Sequence, residues 1–294
     1  MGIMVLPLVV GVDGSEGSLL AVDWAVDEAA RHGLPLRLVH ASRGERHEGA
    51  LPRTSRERSA EQVTARHLVV SAEERVRRRN PGLEVSAEIL PEEAASALLR
   101  EGNDAFALVT GSRGRGELRG VLLGSVGPAV AARASCPVVV VRGDKAGLAG
   151  THERILLGAG DPGTSGETVR FAFREAEARG CELHVVRAWR CPAYENADHS
   201  APAADPAHRH EEQALALVDA LVAEASADHP AVRVHRAAAE GPAHKVLVHR
   251  SAAADLVVVG ARRRSGHFGL RLGRVSHTLL HHAACPVAVV PQRA

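Results

Sequence analysis

A glycine-rich segment in the first half of the chain has the residue types and the spacing of a phosphate-binding loop. Gly111 and Gly114 are followed, after nine further residues, by Gly124 and Ser125. Glycines let the backbone turn tightly and approach a ligand with no Cβ in the way. Gly124, Ser125 and Val126 are predicted to open a helix, whose N–H groups and positive dipole end attract an anion. The Ser125 hydroxyl would add a donor to a phosphate oxygen.

A carboxylate at the end of the first predicted strand is placed to complete this site. The apolar run Val5–Val12 predicts a strand that ends at the turn Asp13-Gly14-Ser15. In parallel sheets, ligands bind beyond the carboxyl ends of the strands, where the strand order reverses. This rule brings the residues after strands one and four together, so we expect Asp13 to accept hydrogen bonds from ribose hydroxyls. Because the chain has 34 Arg and 2 Lys, its phosphate contacts must come from backbone amides and Arg.

Strands and helices alternate along the first half of the chain. Strands are predicted at Val5–Val12, Leu36–Ala41, Leu83–Leu90, Ala105–Thr110 and Val138–Val141. Helices are predicted at Ser15–His32, Glu61–Arg79, Pro91–Glu101 and Gly124–Ala134, with a loop at Arg43–Arg58. Alternation of this kind predicts an α/β fold, in which helices cover both faces of a parallel sheet.

The chain repeats itself. Residues Val109–Val141 and Val258–Val290 align without a gap at an offset of 149, and the order of predicted elements in the first half recurs in the second. A repeat of this length means two copies of one fold. We therefore predict one domain over residues 1–143 and a second over residues 151–294, joined by the small, polar linker Gly143–Thr151.

Composition excludes several classes of protein. The formal net charge is +1, so neither a nucleic-acid partner nor a membrane-surface partner is expected. No apolar stretch approaches the roughly 20 residues that a membrane span needs, and the apolar N-terminus is predicted to be a strand rather than a signal peptide. These features predict a cytoplasmic protein. Hydrophobic residues make up 45% and aromatic residues 2% of the chain, so the cores must be aliphatic.

The combined pattern resembles the universal stress protein family. The features that carry the resemblance are Asp-Gly-Ser after a strand, G-x2-G-x9-G-S before a helix, and Cys-Pro-Val-Val-Val-Val in strand five. Two copies in one chain resemble the tandem members of that family, and the glycine pattern resembles its ATP-binding branch. The resemblance implies two Rossmann-like domains, each with a five-stranded parallel sheet ordered 3-2-1-4-5. It also implies pairing through the fifth strands, as an intramolecular pseudo-dimer, with homodimerisation left open.

The resemblance further implies a nucleotide site in the first copy. ATP, with or without Mg²⁺, would be the ligand, with Asp13 at the ribose and the backbone near Ala41 at the adenine. The phosphates would be bound by Gly111, Arg113, Gly114, Gly124, Ser125 and Val126.

Three functions remain open from the sequence. The first is a stress-response module that senses ATP and signals to an unknown protein partner. The second is an enzyme, either a slow ATPase or a nucleotidyl or phosphoryl transferase, although the sequence shows no P-loop and no paired Mg²⁺ carboxylates. The third is a nucleotide-free scaffold. We assign no catalytic residue.

The second copy departs from the pattern. Arg263 replaces Gly114, Arg274 replaces Ser125, and Gly160 stands opposite Asp13. We expect this copy to bind ATP weakly or not at all. Two alternatives stay open: the register shifts by one residue so that Asp161 recovers the ribose contact, or the arginines bind another anion. The arginines concerned are Arg262, Arg263, Arg264, Arg271 and Arg274.

Clusters of histidine and arginine have simpler explanations. His208 and His210 precede Glu211 and Glu212, and His281 adjoins His282, but neither spacing matches a strong zinc motif. We therefore predict no metal site. The run Arg75–Arg79, which contains four arginines, is predicted to be a solvated helix face that complements the helix dipole.

Overall fold

The chain divides into two compact units. The computed structural model describes residues 5–42, 55–114, 123–161, 165–190, 206–261 and 272–292. Internal contacts group Met1–Arg142 into one unit and Gly143–Ala294 into the other. Among the described residues, no helix combines the length and apolar character that a bilayer crossing requires.

The first unit is a parallel sheet covered by helices. Its strands are β1 (Leu8–Gly11), β2 (Leu36–Ala41), β3 (Val85–Leu90), β4 (Ala107–Gly111) and β5 (Val138–Val141). Its helices are α1 (Glu16–His32), α2 (Ser55–Arg79), α3 (Ala94–Glu101) and α4 (Val126–Arg133). The strand order is β3-β2-β1-β4-β5 with every pair parallel, so the predicted order 3-2-1-4-5 is confirmed.

The second unit repeats this topology. Its strands are β6 (Arg154–Gly158), β7 (Glu182–Trp189), β8 (Val234–Glu240), β9 (Leu256–Ala261) and β10 (Val287–Pro291). Its helices are α5 (Lys145–Ala149), α6 (Gly166–Arg179), α7 (Pro206–Asp228), α8 (Ala243–Arg250) and α9 (Arg274–His282). The order β8-β7-β6-β9-β10 is again parallel throughout. The segment predicted as a linker contains α5. Asp144 caps the start of this helix by accepting a hydrogen bond from the Gly147 amide.

The cores are aliphatic, as the composition predicts. Strand β5 is four consecutive buried valines, which is typical of a parallel strand covered on both faces. The largest fully buried side chains are mainly Leu and Ile. The exceptions among them are Phe171 and Phe173 of α6.

Local capping explains where the helices of the first unit begin and end. Ser15 caps α1 by accepting a hydrogen bond from the Ser18 amide, and Gly33 ends the helix in the left-handed conformation at φ +61°. Helix α3 begins at Ala94 rather than at the predicted Pro91, because the Glu93 carboxylate accepts from the amides of Ala95 and Ser96. Helix α2 begins at Ser55, so the predicted loop Arg43–Arg58 is wrong at its C-terminal end.

The arginine run on α2 is not only a solvated face. The Arg75 guanidinium donates two hydrogen bonds of 2.6 Å to the carboxylate of Asp23 on α1. One turn later, Arg79 makes the same paired contact with Asp27 at 2.7 Å. Bidentate geometry of this kind fixes orientation, so these pairs set how α2 lies against α1. Their side chains remain partly exposed, so we expect each pair to contribute no more than about 1 kcal/mol.

One buried carboxylate joins two strands of the second unit. Asp255 is 4% exposed and precedes β9. Its two oxygens accept hydrogen bonds from the amides of His152 and Arg154, at 2.9 and 3.1 Å. The side chain therefore fixes the start of β6 against the start of β9. The matching position in the first copy is Phe106, which lacks this carboxylate.

Replacing this carboxylate should destabilise the second unit. Asp255→Ala leaves two backbone amides without their acceptor, so we expect the free energy of unfolding to fall by about 2–3 kcal/mol. The measurement is denaturant unfolding followed by Trp189 emission in a Trp24→Phe background. Asp219→Ala, at an exposed carboxylate paired with Arg236, is the control and should change stability by less than about 0.5 kcal/mol. An equal effect of the two substitutions would contradict this role for Asp255.

Candidate nucleotide site

A cavity of about 380 Å³ opens at the carboxyl ends of β1, β2 and β4 in the first unit. Its apolar wall comes from Val12, Val39, Ala41, Ala94 and Leu98. The rest of the wall includes Asp13, Ser18, Thr110, Gly111, Arg113, Gly114 and Gly124–Gly127. The cavity lies where the strand order reverses between β1 and β4, the place at which doubly wound sheets bind ligands.

The turn after β1 holds Asp13 in one orientation. Its Oδ1 accepts hydrogen bonds from the Ser15 amide at 2.9 Å and the Ser15 hydroxyl at 2.6 Å. The Ser18 hydroxyl in turn accepts from the Gly14 amide at 3.1 Å. Gly14 has φ +77°, a left-handed conformation that favours glycine. The Asp13 carboxylate is thus positioned by its own turn, as a preorganised acceptor at the cavity wall.

Packing within the protein gives the loop glycines a further reason, which the sequence did not show. A Cβ on Gly111 would lie 2.5 Å from the carbonyl carbon and oxygen of Gly17. A Cβ on Gly114 would lie 2.8 Å from Asp13 Oδ2. Neither glycine has a positive φ. Gly111 therefore makes room for α1, and Gly114 makes room for the Asp13 carboxylate.

A second contact closes the loop against α1. The Ser15 hydroxyl, which donates to Asp13 Oδ1 at 2.6 Å, also lies 3.2 Å from the Arg113 carbonyl oxygen. That oxygen would lie 2.6 Å from a Cβ on Gly17, so the two backbones are in direct contact. The Arg113 side chain remains exposed at the cavity rim, where a guanidinium can reach an anion.

The N-terminus of α4 supplies fewer amides than the sequence suggested. Gly124 donates its N–H to the Ser112 carbonyl at 2.8 Å, so this amide closes the loop. The helix begins at Val126, and the Ser125 hydroxyl makes no capping hydrogen bond. First-turn amides have no partner within a helix, so those at the start of α4 are the ones that can meet an anion.

The cavity brings the predicted residues together. All eight side chains or backbones that the sequence singled out line it: Asp13, Ala41, Gly111, Arg113, Gly114, Gly124, Ser125 and Val126. Their contacts with a ligand remain a prediction. The sequence analysis missed the apolar residues Ala94 and Leu98 of α3, whose i, i+4 spacing places them on one helix face. It also missed Ser18, Thr110 and Gly127.

The corresponding turn of the second unit has no matching carboxylate. Strand register pairs Ile155 with Leu183 as it pairs Leu8 with Leu36, so Gly160 occupies the position of Asp13 and no one-residue shift occurs.

Arg187 stands at the place of His40 in this second turn. It donates to the Gly160 carbonyl at 2.5 Å and lies 3.4 Å from the Asp161 carboxylate. In the first unit, His40 Nδ1 instead lies 2.7 Å from the Val12 carbonyl. Asp161 is therefore engaged by an arginine.

In the second unit, other side chains lie at the positions that match the nucleotide site of the first. The Gln292 amide packs on the Cα of Gly260, at the position where the Gly17 backbone packs on Gly111 in the first unit. The pKa of His244 lies below its usual value, first because of burial and then because positive charges lie nearby. Those charges belong to Arg274, Lys245 and Arg190. Arg262, Arg263, Arg264 and Arg271, which the sequence also marked, lie outside the described residues.

Comparisons with known proteins agree with this architecture. The model of the universal stress protein family matches residues 4–142 and again residues 151–291. Universal stress protein Rv2005c of Mycobacterium tuberculosis is 34% identical over 97% of this chain and 97% of its own. A universal stress protein structure from Archaeoglobus fulgidus, 16% identical, covers 98% of this chain and 99% of its own with a TM-score of 0.72.

The chain belongs to the universal stress protein family, with two tandem domains. Members of this family are stress-response proteins. One solved member, from Archaeoglobus fulgidus, is in complex with dAMP; it is 23% identical, covers 48% of this chain and all of its own, and has a TM-score of 0.36.

The two loop glycines should respond differently to a methyl group. Gly111→Ala drives a Cβ into the Gly17 backbone, which cannot move aside, so we expect the first unit to lose about 1–3 kcal/mol of stability. Gly114→Ala meets one side-chain oxygen of Asp13 at 2.8 Å rather than backbone atoms at 2.5 Å, so it should cost less. Denaturant unfolding followed by Trp24 emission, in a Trp189→Phe background, compares the two. A larger loss for Gly114→Ala would show that the contact with α1 is not the constraint.

Proposed function

We propose that the first domain binds ATP and acts as a nucleotide-sensing module. The observation that carries the proposal is the cavity itself, which combines an apolar wall, an oriented carboxylate and a helix N-terminus. Ligand pockets are typically about 300–1,000 Å³, and this one has a volume of about 380 Å³.

Each part of the nucleotide has a candidate neighbour. The apolar wall, with Ala41 at the end of β2 and Leu98 on α3, suits the faces of an adenine. Asp13 suits the ribose hydroxyls, because a carboxylate is an acceptor of two donors. The start of α4 and the Arg113 side chain suit the phosphates. If Mg²⁺ accompanies ATP, the phosphates and water would supply most of its ligands.

Binding is favoured over turnover by the chemistry of the lining. Among the described residues that line the cavity, Asp13 is the only carboxylate. Ser15 already occupies one of its oxygens. Phosphoryl transfer needs metal ligands and a group that positions a nucleophile, and this lining favours neither. We therefore propose that ATP occupancy is read out by an unidentified protein partner.

The two domains should differ in ATP binding. We expect one ATP per chain by isothermal titration calorimetry. Gly114→Arg installs the second copy's residue beside Asp13, where its guanidinium would pair with the carboxylate, so ATP affinity should fall at least about 10-fold. The matched control is Arg274→Ser, which installs the first copy's residue in the second domain and should leave this binding unchanged. Two equivalent ATP sites, or equal effects of the two variants, would contradict the asymmetry.

Asp13 should discriminate ribose from deoxyribose. We expect Asp13→Asn to weaken ATP binding by about 10-fold, since the amide keeps one acceptor for Ser15 but replaces the other with a donor. Affinities for ATP and 2′-deoxy-ATP, compared in the parent and the variant, provide the measurement. The preference for ATP should shrink in Asp13→Asn. A preference that persists unchanged would place the ribose away from Asp13.

A further inference from the structure

Three potential metal ligands meet on one face of the sheet in the second unit. Glu182 and His184 lie two residues apart on β7, so their side chains share a face. His235 on the neighbouring strand β8 is the register partner of His184. Strand β8 is the edge strand of the sheet in this unit.

The ligand atoms have the spacing of a coordination sphere. Glu182 Oε2 lies 3.2 Å from His184 Nε2 and 3.4 Å from His235 Nε2. One ligand atom from each of the three residues falls within 4.8 Å of the others. Tetrahedral zinc with bonds of about 2.0–2.2 Å places its ligand atoms roughly 3.3–3.6 Å apart. The 3.4 Å distance lies in that range, and the 3.2 Å distance lies just below it.

Neighbouring arginines leave this arrangement open to a cation. Arg233 approaches Glu182 Oε1, at 3.8 Å, and not the oxygen that both imidazoles face. Arg154 lies close enough to influence His184 but is directed toward the Ala253 carbonyl, at 3.3 Å.

The sequence predicts no metal site, because His184 and His235 meet only through strand register. We nevertheless propose that Glu182, His184 and His235 form a binding site for a transition-metal ion of the Zn²⁺ type. Two imidazoles and one carboxylate are a common set of three protein ligands for zinc, with water at the fourth position. Rotation of His235, whose side chain is 54% exposed, can bring its Nε2 toward the other two atoms. The site is independent of the nucleotide cavity, which lies in the other unit.

The first unit serves as an internal comparison. The strand register places Pro35, Arg37 and Ser86 at the positions of Glu182, His184 and His235. Arg37 lies in an ion-pair cluster, 3.0 Å from Glu101 and also in contact with Glu88. None of the three matching residues is a zinc ligand, so the site belongs to the second copy.

Other histidines of the second unit offer fewer ligands. His208 pairs with Glu212 across one helical turn at 3.1 Å, with both side chains exposed. His277 and His281 of α9 lie with ring centroids 4.5 Å apart. Among the described residues of this unit, the cluster of Glu182, His184 and His235 brings together three potential ligands of two kinds on rigid strands.

Zinc titration of the full chain tests the proposal. We expect isothermal titration calorimetry to detect one high-affinity Zn²⁺ per chain. His235→Ala and Glu182→Gln should each weaken that binding at least about 10-fold, as even outer-shell losses often do. The matched control His208→Ala removes a histidine from an exposed His–Glu pair and should leave the high-affinity Zn²⁺ site intact. Far-ultraviolet circular dichroism checks that each variant folds.

Crystals soaked in Zn²⁺ give an independent readout. An anomalous peak between the three ligand atoms would support the site. The proposal is overturned if Glu182→Gln and His235→Ala bind Zn²⁺ as the parent does, or if the parent binds none tightly. It is also overturned if the peak lies elsewhere. In these cases Glu182 simply accepts hydrogen bonds from two imidazoles. None of these three residues lines the nucleotide cavity. We therefore expect Glu182→Gln and His235→Ala to bind ATP as the parent does, whether or not they bind Zn²⁺.

Discussion

The candidate site depends on a direct contact between two backbones, the end of β4 and the first turn of α1. Gly111 and Gly17 meet with no space for a Cβ between them. The Ser15 hydroxyl lies within hydrogen-bond distance of the Arg113 carbonyl and so supports the same contact. Because the strand end lies so close to α1, the Asp13 turn and the loop share one wall. The shape of the cavity is therefore fixed by packing of the protein on itself, before any ligand binds.

The second unit satisfies the same topology with different groups. The Gln292 amide packs on Gly260, and Arg187 donates to the carbonyl of Gly160, which stands where Asp13 does in the first unit. Helix α6 begins at Gly166, three positions after the residue that matches the start of α1. These substitutions keep the fold and remove the carboxylate. They also leave positive charge near His244. Fold and ligand chemistry are thus separable within one chain.

Sequence alone predicts features whose cause is local. Strands β2 and β5 have the predicted bounds, because β5 is a continuous run of valines and β2 is a short, mainly apolar segment. Helix α1 ends at Gly33 for a similar local reason. Features that depend on distant partners could not be predicted. The Arg75–Asp23 contact joins residues 52 apart, and His184 meets His235 only through strand register. The engagement of the Gly124 amide by Ser112 is likewise invisible in a spacing pattern.

The two copies differ at a whole group of interacting residues, which favours separate roles for the two units. In the first copy, Arg37 contacts the carboxylates of Glu88 and Glu101. In the second copy, the residues at those three positions are His184, Ala237 and Arg250. The second copy therefore has neither the arginine nor either of its carboxylate partners at these positions. Glu182, which faces two imidazoles, stands at the position of Pro35, two residues before the one that matches Arg37. This face of the sheet therefore carries an arginine with two carboxylates in one copy and a carboxylate with two imidazoles in the other.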